Sequence, residues 1–378
     1  MKRLARLHLL TDLAGGLALA MALSIAGTVA AFAADGDGGR TTTLYTLSNV
    51  ATGNAVLAVT ERLGHSASVV TYPTGDKGTG AGLGSQGAIA LAEGGSRLIA
   101  VNAGSNSVSA FAVGDTGRLK LTNSAPSGGL DPISVTARGR LVYVLNAGSN
   151  TVSGLWLGEH GLSPIAGSTT ALSAGAKAPV QVSFTPNGES LIVAEKVSNT
   201  IDVLAVGDDG DLGSPRTTTS TGATPFGFDF DKAGHLVISD AVGGAPGASA
   251  LTSYRVDESG ALSPISLVPD LQTAACWVVV ERRGGHAFTT NTGSGTVSSY
   301  DIARGGGLTL HASVAAVTGG HPVDEALGRD GHELFVLDAG GRILSSAVLA
   351  SGDLGPVSVI ATGLPASVTG LAAGFDRD

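Results

Sequence analysis

The sequence predicts an all-β fold, a seven-bladed β-propeller with four-stranded antiparallel blades, and three observations carry that expectation. First, a phrase recurs along most of the chain. Val101-Asn102-Ala103-Gly104-Ser105-Asn106-Ser107-Val108-Ser109 returns around Asn146 and Asn291, and in altered form at Asn49, Glu195, Asp240 and Asp338. Second, these seven positions are separated by 53, 44, 49, 45, 51 and 47 residues, the length of a unit that holds several short strands. Third, the chain has 57 glycines, 4% aromatic residues and abundant Val, Thr and Ser, with no helical periodicity after its N-terminal segment.

That segment has its own pattern. Lys2, Arg3 and Arg6 precede an apolar run from Leu13 to Ala31, and Ala31-Phe32-Ala33 has the small-x-small form of a cleavage site. Residues 1–33 therefore read as a secretory signal, 34–43 as a flexible tail and 44–376 as a single propeller, which makes the mature protein secreted or extracytoplasmic. The signal carries a net +2, so its removal takes the chain from −9 to −11. An acidic surface argues against nucleic acid and anionic membranes as partners. No later apolar run is long enough to cross a bilayer, so no stable membrane insertion is expected after cleavage. The lone Cys276 excludes an intrachain disulfide and sits in an apolar strand pattern, as a buried structural cysteine would. A monomer is the expected state.

One repeat shows the unit. Pro179–Phe184 alternates as a first strand, Thr185-Pro186-Asn187-Gly188 is a turn, and Ser190–Ala194 and Thr200–Val206 are the second and third strands. A weaker fourth strand lies near Ser214–Thr219, and Gly222-Ala223-Thr224-Pro225 leads into the next blade. The ends complement each other. The ordered chain opens on Leu44-Tyr45-Thr46-Leu47, a second strand, and closes on Val368–Ala373, a first strand. The C-terminal segment thus supplies the inner strand of the N-terminal blade and removes an open seam.

Alternating strand direction places the recurring phrases and the crossovers between blades on one face, and the Gly-rich turns between first and second strands on the other. The crossover face, beside the central channel, is the default pocket. Five histidines (65, 160, 235, 286 and 332) fall in turns of the opposite face and read as solvated, whereas His321 falls on the crossover face with Gln86, Asp131, Lys177, Gln181 and Asp324. Most of the Asn/Asp series, Asn102, Asn146 and Asn291 included, reads as loop scaffolding, because such side chains hold turns. The informative positions are those where the phrase turns to charge: Glu195 with Lys196, Asp240 with the longer loop Ala241–Ser249, and Asp338. Glu195, Asp240 and His321 are the catalytic candidates. Lys177, Gln181, Lys196, Asn102, Asn146, Asn291 and Asp338 are the binding candidates. A solvated polar rim is the competing reading. No metal or cofactor motif is present.

With the blades aligned, the chain resembles the lactonase-family propellers related to 6-phosphogluconolactonase and carboxymuconate cyclase. The resemblance rests on Phe184-Thr185-Pro186-Asn187-Gly188-Glu189 running on to Glu195, on Tyr143-Val144-Leu145-Asn146 and on Thr290–Tyr300. It implies opening or closing of a sugar-acid or dicarboxylic-acid lactone at one channel mouth without a required metal. The family's block entering this blade is of the Pro-His-x-His kind; here Ala178-Pro179-Val180-Gln181-Val182 contains no histidine. Two functions follow as expectations. One is an exported lactonase with Glu195 as acid/base and Lys177 or Lys196 as anion or oxyanion donor. The other is a non-catalytic propeller that binds a ligand, glycan or protein through the same face.

Overall fold

A computed structural model describes residues 42–62 and 65–375; the expected signal peptide and all but the end of the expected tail lie outside the described residues. The described chain forms seven antiparallel sheets. Numbered from the N-terminus, blade 1 is the shared one. Its strands Thr42–Leu47, Ala55–Arg62 and His65–Pro73 are completed on the inside by Thr369–Phe375, which pairs with Thr42–Leu47. Pairing begins two residues before the expected Leu44. In blade 4 the inner strand Pro179–Phe184 and the neighbours Ser190–Glu195, Thr200–Ala205 and Arg216–Thr219 follow the expected order. Blade 3 departs from four strands, because its outer edge is split into Gly161–Pro164 and Thr170–Ala171, both paired with Thr151–Gly158.

The recurring phrase has a mechanical role. Its first Asn donates to a serine on the third strand, Asn102 to Ser109 (2.9 Å), Asn146 to Ser153 (3.2 Å) and Asn291 to Ser298 (2.8 Å), with both partners of each pair buried. The next two residues donate their amides to the crossover that begins the same blade. Ala147 and Gly148 bond the carbonyls of Asp131 and Leu130, Lys196 and Val197 those of Ala178 and Lys177, Ala241 and Val242 those of Thr224 and Ala223. To present both carbonyls, Asp131, Ala178, Thr224 and Ala274 take φ of +53°, +50°, +59° and +57°. Such a conformation costs of order 1 kcal/mol or more per residue and persists only where surrounding bonds enforce it. The phrase's second Asn is also left-handed, and Asn106 and Asn199 each accept the amide of the next blade's strained residue, at 2.8 and 2.7 Å. Gly295 and Gly341 fill that place without strain.

Neighbouring blades pack through aliphatic faces, with buried tyrosines reaching across. Tyr45 donates to the Gly117 carbonyl and Tyr143 to that of Gly210, each at 2.8 Å and each in the following blade's turn. Around the channel, every inner strand presents one edge without a strand partner. Side chains of the preceding blade cover several of these edges. Ser134 Oγ accepts from the Val182 amide (3.1 Å), and Gln181 brackets Phe228, accepting from its amide (2.7 Å) and donating to its carbonyl (2.9 Å). Asp229 accepts from the Val280 amide (2.8 Å).

One crossover differs from the rest. The others span four to seven residues, but residues 74–88, between blades 1 and 2, number fifteen. The extra length enters the channel. There the Gln86 amide donates to the Val180 carbonyl (3.1 Å), its side chain brackets Val278, and Ser85 Oγ donates to the Ile133 carbonyl (2.8 Å). Trp277 Nε1 donates to the Ser85 carbonyl (3.0 Å). Gly227 makes room, since a Cβ there would lie 2.1 Å from Gln86 Oε1. Inner strands of blades 3, 4 and 6 are thereby tied together near their crossover-side ends.

Deleting Thr369–Phe375 should expose the whole inner edge of Thr42–Leu47. We expect loss of the single cooperative thermal transition, or a midpoint lower by more than about 10 °C, with aggregation on size-exclusion chromatography.

Candidate functional site

The phrase-derived residues are held by their own blades. Glu195 is fully buried at the end of its strand; Oε2 accepts from Ser198 Oγ (2.6 Å) and Thr200 Oγ1 (3.0 Å), and Oε1 has no partner. Beside it stands Asp202, in the place that serine holds in the Asn-containing blades, itself accepting from the Ser173 amide (2.8 Å) and Thr217 Oγ1 (2.7 Å). Burial first, and the Asp202 carboxyl next to it, push Glu195 up to about 7. Asp240 is fully buried in blade 5, accepts from Thr252 Oγ1 and is pushed up to about 7 by burial. His321 is exposed, with Nδ1 3.1 Å from the Thr292 carbonyl. Among the described residues Glu195, Asp240 and His321 share no hydrogen bond.

The binding candidates are equally dispersed. Asn102, Asn146 and Asn291 serve the inter-strand bonds described above, and Asp338 accepts from the Gly340 amide (2.7 Å) and pairs with Arg342 (3.2 Å). Lys177 is exposed, and its amide donates to Ser198 Oγ (3.2 Å). Lys196 reaches over the channel end, donating to the Gly84 carbonyl (3.3 Å) with its ammonium 5.2 Å from the Phe226 ring, and burial lowers its pKa. Loop Ala241–Ser249 bonds toward Thr273 in the next crossover; residues 84–87 are what cover the mouth. The side chain of His65 lies outside the described residues. His235 departs from its expected solvated state, being buried with Nδ1 2.7 Å from Asp231.

The crossover-side end of the channel is crossed by the chain itself at residues 84–87. Next to this segment lies a cavity of about 230 Å³, lined by Gln86, by the expected candidates Gln181 and Asp324, by Glu325, and by later residues of inner strands such as Thr136, Ala137 and Ser183. No Lys, Arg or His lines it. Asp324 Oδ1 accepts the Glu325 amide (2.8 Å) and its carboxyl meets the Leu371 backbone, while the Glu325 carboxyl meets the backbones of Thr290 and Val279 on the other side. Burial drives both acids well above the carboxylate range, and Asp324 and Asp229 add repulsion at Glu325. Asp229 is pushed up to about 6 by burial, against the Val280 and Phe230 amides it accepts. Among the described residues no group of three His, Cys, Asp or Glu side chains could hold a metal ion.

Residues 30–160 match the family model "Lactonase, 7-bladed beta-propeller". No curated protein matches the chain. Among solved structures it is similar to the periplasmic gluconolactonase of Pseudomonas aeruginosa, with TM-score 0.68 and 15% identity over 88% of this chain and 99% of that one. It is also similar to a protein from Lactobacillus plantarum, with TM-score 0.68 and 18% identity over 88% and 99% of the two chains. A provisionally named 6-phosphogluconolactonase of Bacteroides fragilis gives TM-score 0.66 and 18% identity over 89% and 98%. The seven-bladed ring is the feature shared with all three.

The raised Glu195 and Asp240 values have a definite sign. In the unfolded chain these acids ionise at their ordinary values, below those of the folded state, so the folded state binds more protons between about pH 4 and about 7. The stability they supply is present below the unfolded values and is lost as pH rises through about 7, by up to about 3–4 kcal/mol per group. Urea midpoints should therefore fall from about pH 5 to about pH 8, and Glu195→Gln should flatten the fall. An unchanged slope in that variant would contradict the raised Glu195 value.

Proposed function

We propose that this protein is an exported, lactonase-like propeller that takes a small lactone into the channel cavity and hydrolyses it. The observation that carries the reading is the cavity itself. It lies inside a ring similar to a gluconolactonase and is lined by two buried acids, Asp324 and Glu325, whose pKa values burial raises, as in groups placed to move protons. In the reaction, a carboxylate among these acids accepts a proton from water as the water oxygen bonds the lactone carbonyl carbon. The ring C–O bond then breaks, and the same proton returns to the departing alkoxide, giving an open hydroxy acid. Thr136, whose Oγ1 accepts from the Phe184 amide at 3.3 Å, places a hydroxyl at the cavity wall as a donor to the carbonyl oxygen.

The non-catalytic binding reading has one observation in its favour: Glu195, Asp240 and Asp338, which broke the repeat toward charge, are turned into their own blades, and neither they nor Lys196 line the cavity. Export rests on the N-terminal pattern alone, and N-terminal sequencing of the protein recovered outside the cytoplasm should begin at Ala34.

A panel of five- and six-membered lactones, followed by acid release at constant pH, separates the readings. Hydrolysis should exceed the buffer rate and fall at least about tenfold in Asp324→Asn or Glu325→Gln. Ligand binding without acid release would leave the binding module, and neither would remove the cavity as the site.

A further inference from the structure

Away from the channel, four ionisable side chains meet at the seam between blades 6 and 7. His311 stands on Leu308–Val317, the outer strand of blade 6. Leu308 and Leu310 of that strand join an apolar cluster shared with blade 5, so His311 turns the other way, toward blade 7. Its Nδ1 lies 3.3 Å from Asp301 Oδ2 on the neighbouring strand. Its Nε2 lies 3.0 Å from Asp353 Oδ1, in the turn between the third and fourth strands of blade 7. Asp301 Oδ1 is 3.0 Å from Nδ1 of His286, on the second strand of blade 6. A Cβ on Gly352 would lie 2.5 Å from that same nitrogen, so the blade 7 turn sits directly on the His286 ring.

This geometry constrains protonation. A carboxylate oxygen only accepts, and a neutral imidazole has a single N–H. Both ring nitrogens of His311 face carboxylate oxygens, so the two bonds exist together only in the imidazolium form. His286 makes one such contact, which a neutral ring satisfies. The hydrogen bond to Asp353 first, against burial, and then that to Asp301 raise His311 above the ordinary 6.5. The same bond from His311, and then Ser351, hold Asp353 below 3.8. Other charge stands apart. From blade 5, Leu262–Pro269 has no charged residue and Ala250–Val256 only the exposed Arg255. In blade 7, Arg342 is paired with Asp338 at the crossover end of its strand.

At four other seams the contacts that reach the next blade do not change charge near neutrality. Tyr45 and Tyr143 donate to turn carbonyls, Asn123 exchanges two hydrogen bonds with Leu162, and Arg216 donates to Ser259. We propose that the seam between blades 6 and 7 is a proton-operated latch, closed while a charged His311 bridges Asp301 to Asp353 and loosened when that charge is lost. Deprotonation leaves one N–H for two carboxylates, and one carboxylate then faces a lone pair. A histidine raised by folding supplies stability that is complete below 6.5 and lost as pH rises through its folded value. The lowered Asp353 supplies its share above 3.8 and loses it as pH falls. The latch is therefore fullest between those two values. Asp301 and Asp353 are 48% and 59% exposed, so what the latch governs is local opening of the seam and not unfolding of the ring.

Two measurements test the latch. In protein carrying 15N in its histidine rings, His311 should show both nitrogens protonated at about pH 6 and titrate above 6.5, and Asp353→Asn should lower that midpoint. Backbone hydrogen exchange reads the seam itself through the amides of Leu349, Gly352 and Gly355, which are bonded in and beside the blade 7 turn. With intrinsic rates divided out, these should open at least about threefold more often at pH 8 than at pH 6, and His311→Gln should abolish the difference. The raised acids of blades 4 and 5 also respond to pH, and their effect would persist in that variant. A His311 midpoint at or below 6.5, no difference in the unaltered protein, or a difference that survives in His311→Gln would each overturn the proposal.

Discussion

Seven inner strands each leave one hydrogen-bonding edge facing the axis of the ring, and the rest of the architecture answers that constraint. Unpaired amides and carbonyls at a buried axis would cost more than the ring's packing returns. Polar side chains on the inner strands cover much of this edge: Ser134 serves Val182, Gln181 serves Phe228, and Asp229 serves Val280. Gln86 does the same for Val278 from a loop rather than from a strand. An aliphatic lining would leave these groups bare. The polarity of the channel is therefore structural first, and Asp324 belongs to the same set, meeting the Leu371 backbone of blade 1.

Most of the fold was legible in the sequence, for a physical reason. Each blade repeats one set of strands, turns and stitches, so the period itself reports the architecture. Blade closure was legible too, because Leu44–Leu47 and Val368–Ala373 are incomplete alone and complementary together. The candidate cavity was legible in part, since Gln86, Gln181 and Asp324 stood among the residues assigned to the crossover face and all three line it. Repeat-breaking charge at Glu195 and Asp240 pointed to the crossover face, yet a strand-terminal residue in this fold turns into its own blade, as the asparagines do. The better signal was an acid inside an apolar inner strand, Phe228-Asp229-Phe230 or Val323-Asp324-Glu325-Ala326. The covering segment had a signal as well, the 53-residue step that is the largest of the six. Its glycines look like ordinary turn residues until the length of the crossover is counted.

Blade 4 shows how far one position can change while its geometry persists. Asn and Ser are replaced by Glu and Asp, and a neutral hydrogen bond gives way to a buried acid whose pKa is raised by burial and by the neighbouring Asp202 carboxyl. The substitution keeps the link between second and third strands but makes it conditional on protonation. Blade 5 reaches a similar state with one acid, Asp240, and a threonine. Adjacent blades thus carry the same sensitivity to rising pH, while blades 2, 3 and 6 keep the neutral Asn–Ser bond.

The segment at residues 84–87 also has a mechanical consequence. With Ser85 and Gln86 bonded to inner strands of three separate blades, it works as a spoke across the axis, and those strands cannot slide past one another without breaking it.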